Sequence, residues 1–218
     1  ETCQNTRSME PYIDPQLPLI DLHRHLDGSV RLETVIELAQ QQGIDLPALD
    51  VESLRPHVVV DGRAASLMDF IGRFKYLTAI LHDLDACRRV AYENVEDARR
   101  EGIDYIELRF SPWFMSETHD LDPAGVVEAV ADGIKAAERD TGVRAQMIGI
   151  MSRTYDTETC HRELDALLAH RDHLVAIDLA GDELKFPAGL FQQHFKRARD
   201  AGLQVTVHAG EVDGPESV

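Results

Sequence analysis

Five short apolar runs, each followed by a longer segment of helical periodicity, constrain this chain more than any other feature. The runs occupy residues 19–22, 103–110, 143–151, 174–179 and 203–207. They are rich in Ile, Val and Leu, as strands buried on both faces are. Between them Leu32, Val35, Ile36 and Ala39 recur at helical spacing, as do Val126, Val127, Val130, Ile134 and Ala137. Leu164, Leu167 and Leu168 follow the same rule, and then Leu190, Phe191, Phe195 and Ala198. Asp122 followed by Pro123 is a helix N-cap and first-turn pair. Gly102, Gly142 and Gly202 each stand just before an apolar run, where a helix ends in a left-handed residue and a strand begins. Repeated βα units predict a parallel sheet flanked by helices.

Two architectures meet that description, a closed barrel and a doubly wound sheet. No GxGxxG or P-loop follows any run, which weakens the nucleotide-binding alternative. A (β/α)8 TIM barrel takes about 250 residues. The 218 residues here carry five runs, so the expected α/β fold is the N-terminal part of such a barrel, with about five strands. A long insertion separates the first helix from Ile103. It holds two helical stretches, 66–81 with Leu67, Phe70, Ile71, Phe74 and Tyr76, and 85–101. An insertion after an early βα unit commonly forms a lid over a site. Residues 1–17 read as a leader, disordered or left from cloning, and 18–218 as the incomplete barrel domain; polar residues 1–10 lack the apolar centre of a signal peptide.

Charge narrows the partners. The formal net charge is −17, which disfavours binding to nucleic-acid phosphates or to anionic lipid. No apolar run reaches the roughly 18 residues of a membrane span. Cys3, Cys87 and Cys160 are far apart and lack CxxC spacing, so neither a disulfide framework nor a cysteine zinc knuckle is expected, and a cytoplasmic, reducing setting fits. Oligomeric state leaves no mark in the sequence.

Reactive residues collect where the runs end. Asp21, His23, Arg24, His25 and Asp27 lie at the end of the first, Arg109 and Ser111 at the second, Ser152 and Arg153 at the third. Gly181, Asp182 and Glu183 follow the fourth, and His208 and Glu211 the fifth. In a barrel these ends share one mouth, where active sites are built. His23 and His25 are two apart, so on an extended strand both imidazoles face the same side and can grip one divalent metal. A chance surface pair is the alternative; a third histidine, His208, at another strand end favours the metal. Glu211 is either an exposed loop residue or, beside a metal centre, a proton shuttle. Gly181 is either a plain turn glycine or a point of close backbone approach to a ligand. Phe70 and Phe74, four apart on a helix, either pack in the core or cover a flat ring.

Rival chemistries lack their signatures. Of the HxE and PCxxC pattern of nucleic-acid and cytidine deaminases the PCxxC part is absent, as is the GxSxG elbow of serine hydrolases. Dinuclear barrel hydrolases often bridge their metals with a lysine at the fourth strand end. Here that strand runs into Ala180, Gly181 and Asp182, so one metal is expected rather than two.

Four segments carry a family resemblance. They are LIDLHRHLDG at 19–28, ELRFSP at 107–112, DLAGDE at 178–183 and VHAGE at 207–211. In this order they resemble the motifs of the adenosine deaminases, of the bacterial branch, over nearly the whole chain. The resemblance implies a zinc-dependent barrel that hydrolyses adenosine and 2'-deoxyadenosine to inosine or 2'-deoxyinosine and ammonia in purine salvage. It implies that His23, His25 and His208 are zinc ligands, with the His25 ring also against the substrate. It assigns Glu211 to protonation of purine N1, Asp27 to the ribose hydroxyl, Gly181 to purine N3, and Leu67, Phe70, Ile71 and Phe74 to the lid. Adenine deaminases of this family tend to carry glutamate where Asp27 stands, so a nucleoside is the expected substrate. The family's further water-orienting histidine and paired aspartates have no counterpart within these residues, and the 218-residue chain alone is expected to bind zinc weakly and turn over little. Two other readings stand beside this one: a deaminase of adenine or a modified adenosine, and an inactive fragment serving as an interaction module.

Overall fold

The computed structural model describes residues 17–60, 66, 71–212 and 214–218. The leader up to residue 16, and Leu67 and Phe70 of the expected lid, lie outside the described residues.

Among the described residues five parallel strands form one sheet: β1 (Ile20–His25), β2 (Tyr105–Phe110), β3 (Arg144–Ser152), β4 (Leu174–Ala180) and β5 (Gln204–Val205). Their order is β1-β2-β3-β4-β5, each strand beside its predecessor. A doubly wound sheet reverses direction at a switch point; this one does not, and the barrel reading holds. Met147 and Ile148 of β3, and Ile177, Asp178 and Leu179 of β4, are all buried although neighbours on a strand point to opposite faces, as a sheet covered on both faces demands. Among the described residues the helices are α1 (Leu32–Gln42), α2 (Val51–Val58), α3 (Lys75–Ala79), α4 (Leu84–Arg100), α5 (Pro112–Ser116), α6 (Pro123–Thr141), α7 (Thr157–Ala169) and α8 (Gln192–Asp200).

The local signals act as their chemistry requires. The Asp122 carboxylate accepts from the backbone N–H of Ala124 and Gly125, each at 3.3 Å, and opens α6. Gly102, Gly142 and Gly202 adopt φ of 78°, 76° and 88° just before β2, β3 and β5. Val126, Val127, Val130, Ile134 and Ala137 are all buried on α6, as their helical spacing predicts.

Three expectations need correction. β1 runs on to His25; its polar end hid it from an apolar pattern. The segment 66–81 is not one helix: within the described residues α3 covers only Lys75–Ala79, and a new helix begins at Asp83, whose carboxylate accepts from Ala86 N at 2.8 Å. β5 is two residues long instead of five. Its chain nevertheless stays in register with β4, because Thr206 N donates to Ile177 O and His208 N to Leu179 O, both at 2.9 Å. β5 pairs on one side only, so beyond Val205 single bonds replace a full ladder.

β1 and β5 are the two edges of the sheet. Ile20 and Leu22 on β1 are 57% and 54% exposed, and Val207 after β5 is 40% exposed, as an open five-stranded arc predicts. None of the described helices is long and apolar enough to cross a membrane.

Candidate metal centre and substrate cavity

Parallel packing brings the ends of all five strands to one side of the sheet. The pairing of Asp21 with Ile106 and then Arg24 with Leu108 marks an irregularity in β1 directly at His23. His23 and His25 reach His208 across the full width of the sheet. His23 Nε2 lies 2.9 Å and His25 Nε2 3.2 Å from His208 Nε2. The ligand atoms of the three rings all lie within 4.8 Å of one another. A tetrahedral zinc with Zn–N of about 2.05 Å sets neighbouring nitrogens about 3.3 Å apart. The observed spacing is close to that, and three converging lone pairs are a poor arrangement without a cation among them. The residues therefore fit a divalent metal.

Electrostatics favours the neutral, ligating form. Burial, then the nearness of His208, His23 and Arg109, lowers His25 to about 4. Partial burial, Arg109 and His208 lower His23 as well.

His208 is held from behind. Its Nδ1 lies 2.9 Å from Asp178 Oδ2, leaving Nε2 for the cluster. The same carboxylate oxygen accepts from Arg109 Nη1 at 2.9 Å, and Arg109 Nη2 donates to the Leu22 carbonyl at 2.9 Å. Burial opposes the Asp178 charge, yet His208 and Arg109 hold its acid at about 2. A carboxylate behind a ligating histidine fixes ring orientation and raises ligand basicity. Arg109 was legible as a strand-end residue. Asp178 was not singled out, although a lone carboxylate inside the apolar run 174–179 signals a buried partner.

A cavity of about 310 Å³ opens beside the histidines. Asp27, Phe74, Phe114, Ser111, Gly181 and Glu211 line it together with the three rings. Asp27 is buried, accepts from Ser111 N at 3.1 Å, and is raised to about 6, chiefly by burial. Glu211 is exposed at the rim. Gly181 has φ of 114°, and a Cβ there would stand 2.4 Å from Thr154 Oγ1 and 2.8 Å from Thr154 N. This position requires glycine both for its backbone and for the close approach of Thr154. Phe74 packs against the core and lines the cavity, 6.1 Å from Phe114 between ring centroids. Gly28 makes room for it, since a Cβ there would lie 2.6 Å from Phe74 Cε1.

Sequence reasoning missed Glu163, which is fully buried on α7. It accepts from Ser111 Oγ and Trp113 N after β2, and from Ser152 N at the end of β3. Burial raises its carboxyl to about 7. Its signal was position: Cys160, Glu163, Leu164 and Leu167 are one helical stripe, and only the acid departs from its apolar pattern.

A parallel β/α sheet with a three-histidine cluster at its C-terminal edge defines the class as a partial β/α barrel with candidate metal ligands at its strand ends. The chain belongs to the adenosine deaminase family, whose profile matches residues 18–218. A protein named adenosine deaminase from Vibrio parahaemolyticus is 59% identical over 206 residues. That alignment takes in 94% of this chain and 62% of the relative's length. Among solved structures, an adenine deaminase from Arthrobacter aurescens superposes with a TM-score of 0.81 at 28% identity, over 92% of this chain and 59% of its own. An amidohydrolase from Burkholderia ambifaria, solved with bound Zn, gives a TM-score of 0.78 at 26% identity, over 94% and 57%.

Proposed function

We propose that this chain supplies most of the active site of a zinc-dependent, cytoplasmic enzyme that hydrolyses adenosine and 2'-deoxyadenosine to inosine or 2'-deoxyinosine and ammonia, as a step of purine salvage. The observation that carries the reading is the convergence of three ring nitrogens on one point, at a cavity lined by Asp27, Gly181 and Glu211. Support comes also from family membership and from the relative solved with bound Zn.

His23, His25 and His208 would hold one zinc ion, which when bound supplies a water acidic enough to react near neutrality. Asp178 keeps the His208 ring turned so that Nε2 faces the centre. Glu211 donates a proton to the ring nitrogen beside the reacting carbon and makes that carbon more electrophilic. Asp27 accepts from a ribose hydroxyl. Burial weakens it as an acid, and a hydroxyl donor favours the ionised form. Gly181 lets the purine edge approach the backbone, while Phe74 and Phe114 form an apolar wall for the ring. The surface carries the net charge of −17 noted above, and a small neutral nucleoside meets no repulsion from it.

Because the chain spans 62% of that relative's length, the test uses the full-length gene product. Incubated with adenosine, it should release ammonia and shift the ultraviolet spectrum to that of inosine, with adenine turned over far more slowly. A preference for adenine or for an N6-modified adenosine would replace the substrate named here. The 218-residue chain alone, with its apolar edges uncovered, should be nearly inactive; family-like turnover by it would refute that part.

A further inference from the structure

Beyond the cavity wall lies a second buried ion pair. Arg153 follows β3, Glu183 follows β4, and the two are 1% and 3% exposed. Arg153 Nη2 stands 3.6 Å from Glu183 Oε2. Neither residue is among those that line the cavity, yet both reach the segment after β5. Arg153 Nη2 donates to the His208 carbonyl at 2.5 Å, and Nη1 donates to the Phe186 carbonyl at 3.4 Å. Glu183 Oε2 accepts from Gly210 N at 2.9 Å, and Oε1 accepts from Val212 N. The two backbone amides on either side of Glu211 are thus taken by one carboxylate, and the carbonyl three residues earlier by its arginine partner.

We propose that the Arg153–Glu183 pair is a positioning device that fixes where the Glu211 carboxyl stands relative to the His208 ring. This deepens the deaminase reading and rests on it. The physical reason is that Glu211 is exposed at the rim, so its own surroundings restrain it weakly. Its backbone, by contrast, is pinned on both sides from within the protein. Gly210 adopts φ of 77°, a turn that swings the chain away from the strand line, and the Glu183 carboxylate holds that turn from inside. A proton donor must stand at hydrogen-bonding distance from its acceptor, and a displacement of about 1 Å costs about a hundredfold in rate. The three loops that end β3, β4 and β5 are tied by this pair into one unit. A charge pair buried merely as a staple would not need both amides that flank one exposed acid.

Glu183→Gln tests it in the full-length protein. Glutamine keeps one acceptor oxygen and turns an NH2 group toward the other amide, so one of the two flanking bonds is lost. The expected result is kcat reduced by about ten- to a hundredfold with KM within about twofold. Zinc content should stay at the parent level. In a Glu211→Gln background the same change should add less than about a twofold loss, because there is no donor left to misplace. Arg153→Lys keeps the buried charge, loses the two-armed reach to the carbonyls, and is the second arm if Glu183→Gln does not fold. It should show the same coupling to Glu211. The proposal is overturned by unchanged kcat, by a loss that follows zinc content, or by equal losses with and without Glu211. Failure of the deaminase reading is seen separately, in a parent protein inactive on adenosine; that result overturns both.

Discussion

Replacing Glu163 by glutamine should change how stability depends on pH. Glu163 is fully buried, and burial holds its carboxyl at about 7 instead of 4.5. That difference corresponds to about 3 kcal/mol. The folded state binds the proton more tightly, so unfolding between these values releases it. The stabilisation is fully present below pH 4.5 and is lost as pH rises through 7. Between pH 5 and pH 8 the parent should lose about 2.5 kcal/mol through this one group. Glutamine cannot titrate, and it leaves one of the three donors at Ser111, Trp113 and Ser152 without an acceptor, at about 1–3 kcal/mol. The variant should therefore be less stable than the parent at pH 5 and about equal to it, or slightly more stable, at pH 8. Urea unfolding of both proteins at the two pH values, under the same metal conditions, measures the gap, and equal slopes in urea ensure that the same unfolding is compared. A gap that stays constant from pH 5 to pH 8 would refute the assignment of a raised pKa to this carboxyl.

Gly181→Ala combines a left-handed backbone with a Cβ 2.8 Å from the Thr154 amide; it should destabilise by about 2–4 kcal/mol and raise KM for adenosine, seen by thermal melting and initial rates. Asp178→Asn breaks the buried pair with Arg109 and the support of His208, and should cost about 3–5 kcal/mol together with a lowered zinc affinity, measured by competition with a chelating dye. Asp27→Ala should raise KM for adenosine and leave the slow turnover of adenine nearly unaltered; parallel losses on both substrates would contradict its role at the ribose.

The barrel order and the three-histidine cluster were legible for different reasons. His23 and His25 sit two apart on a strand, and the alternation of side chains puts them together whatever surrounds them. His208 was legible because it closes an apolar run, although β5 itself shrinks to Gln204–Val205. α2 escaped notice because Pro56 and the polar residues around it blur its periodicity, while the Asp50 cap that starts it is a single local bond. The supporting acids were less accessible. Asp178 and Glu163 each interrupt an apolar pattern, which announces a buried partner without naming it. Arg153 and Glu183 were visible as strand-end residues, but their grip on Gly210 and Val212 depends on three loops meeting in space, which no spacing in the chain encodes.

Zinc analysis by plasma emission spectrometry tests the shared ion directly, in the full-length protein and in its His23→Ala, His25→Ala and His208→Ala forms. One ion per folded chain in the parent, falling to trace in every variant that remains folded, is the result expected of imidazoles drawn from opposite edges of the sheet onto a single cation. Two ions per chain, or full occupancy after removal of any of these rings, would contradict it.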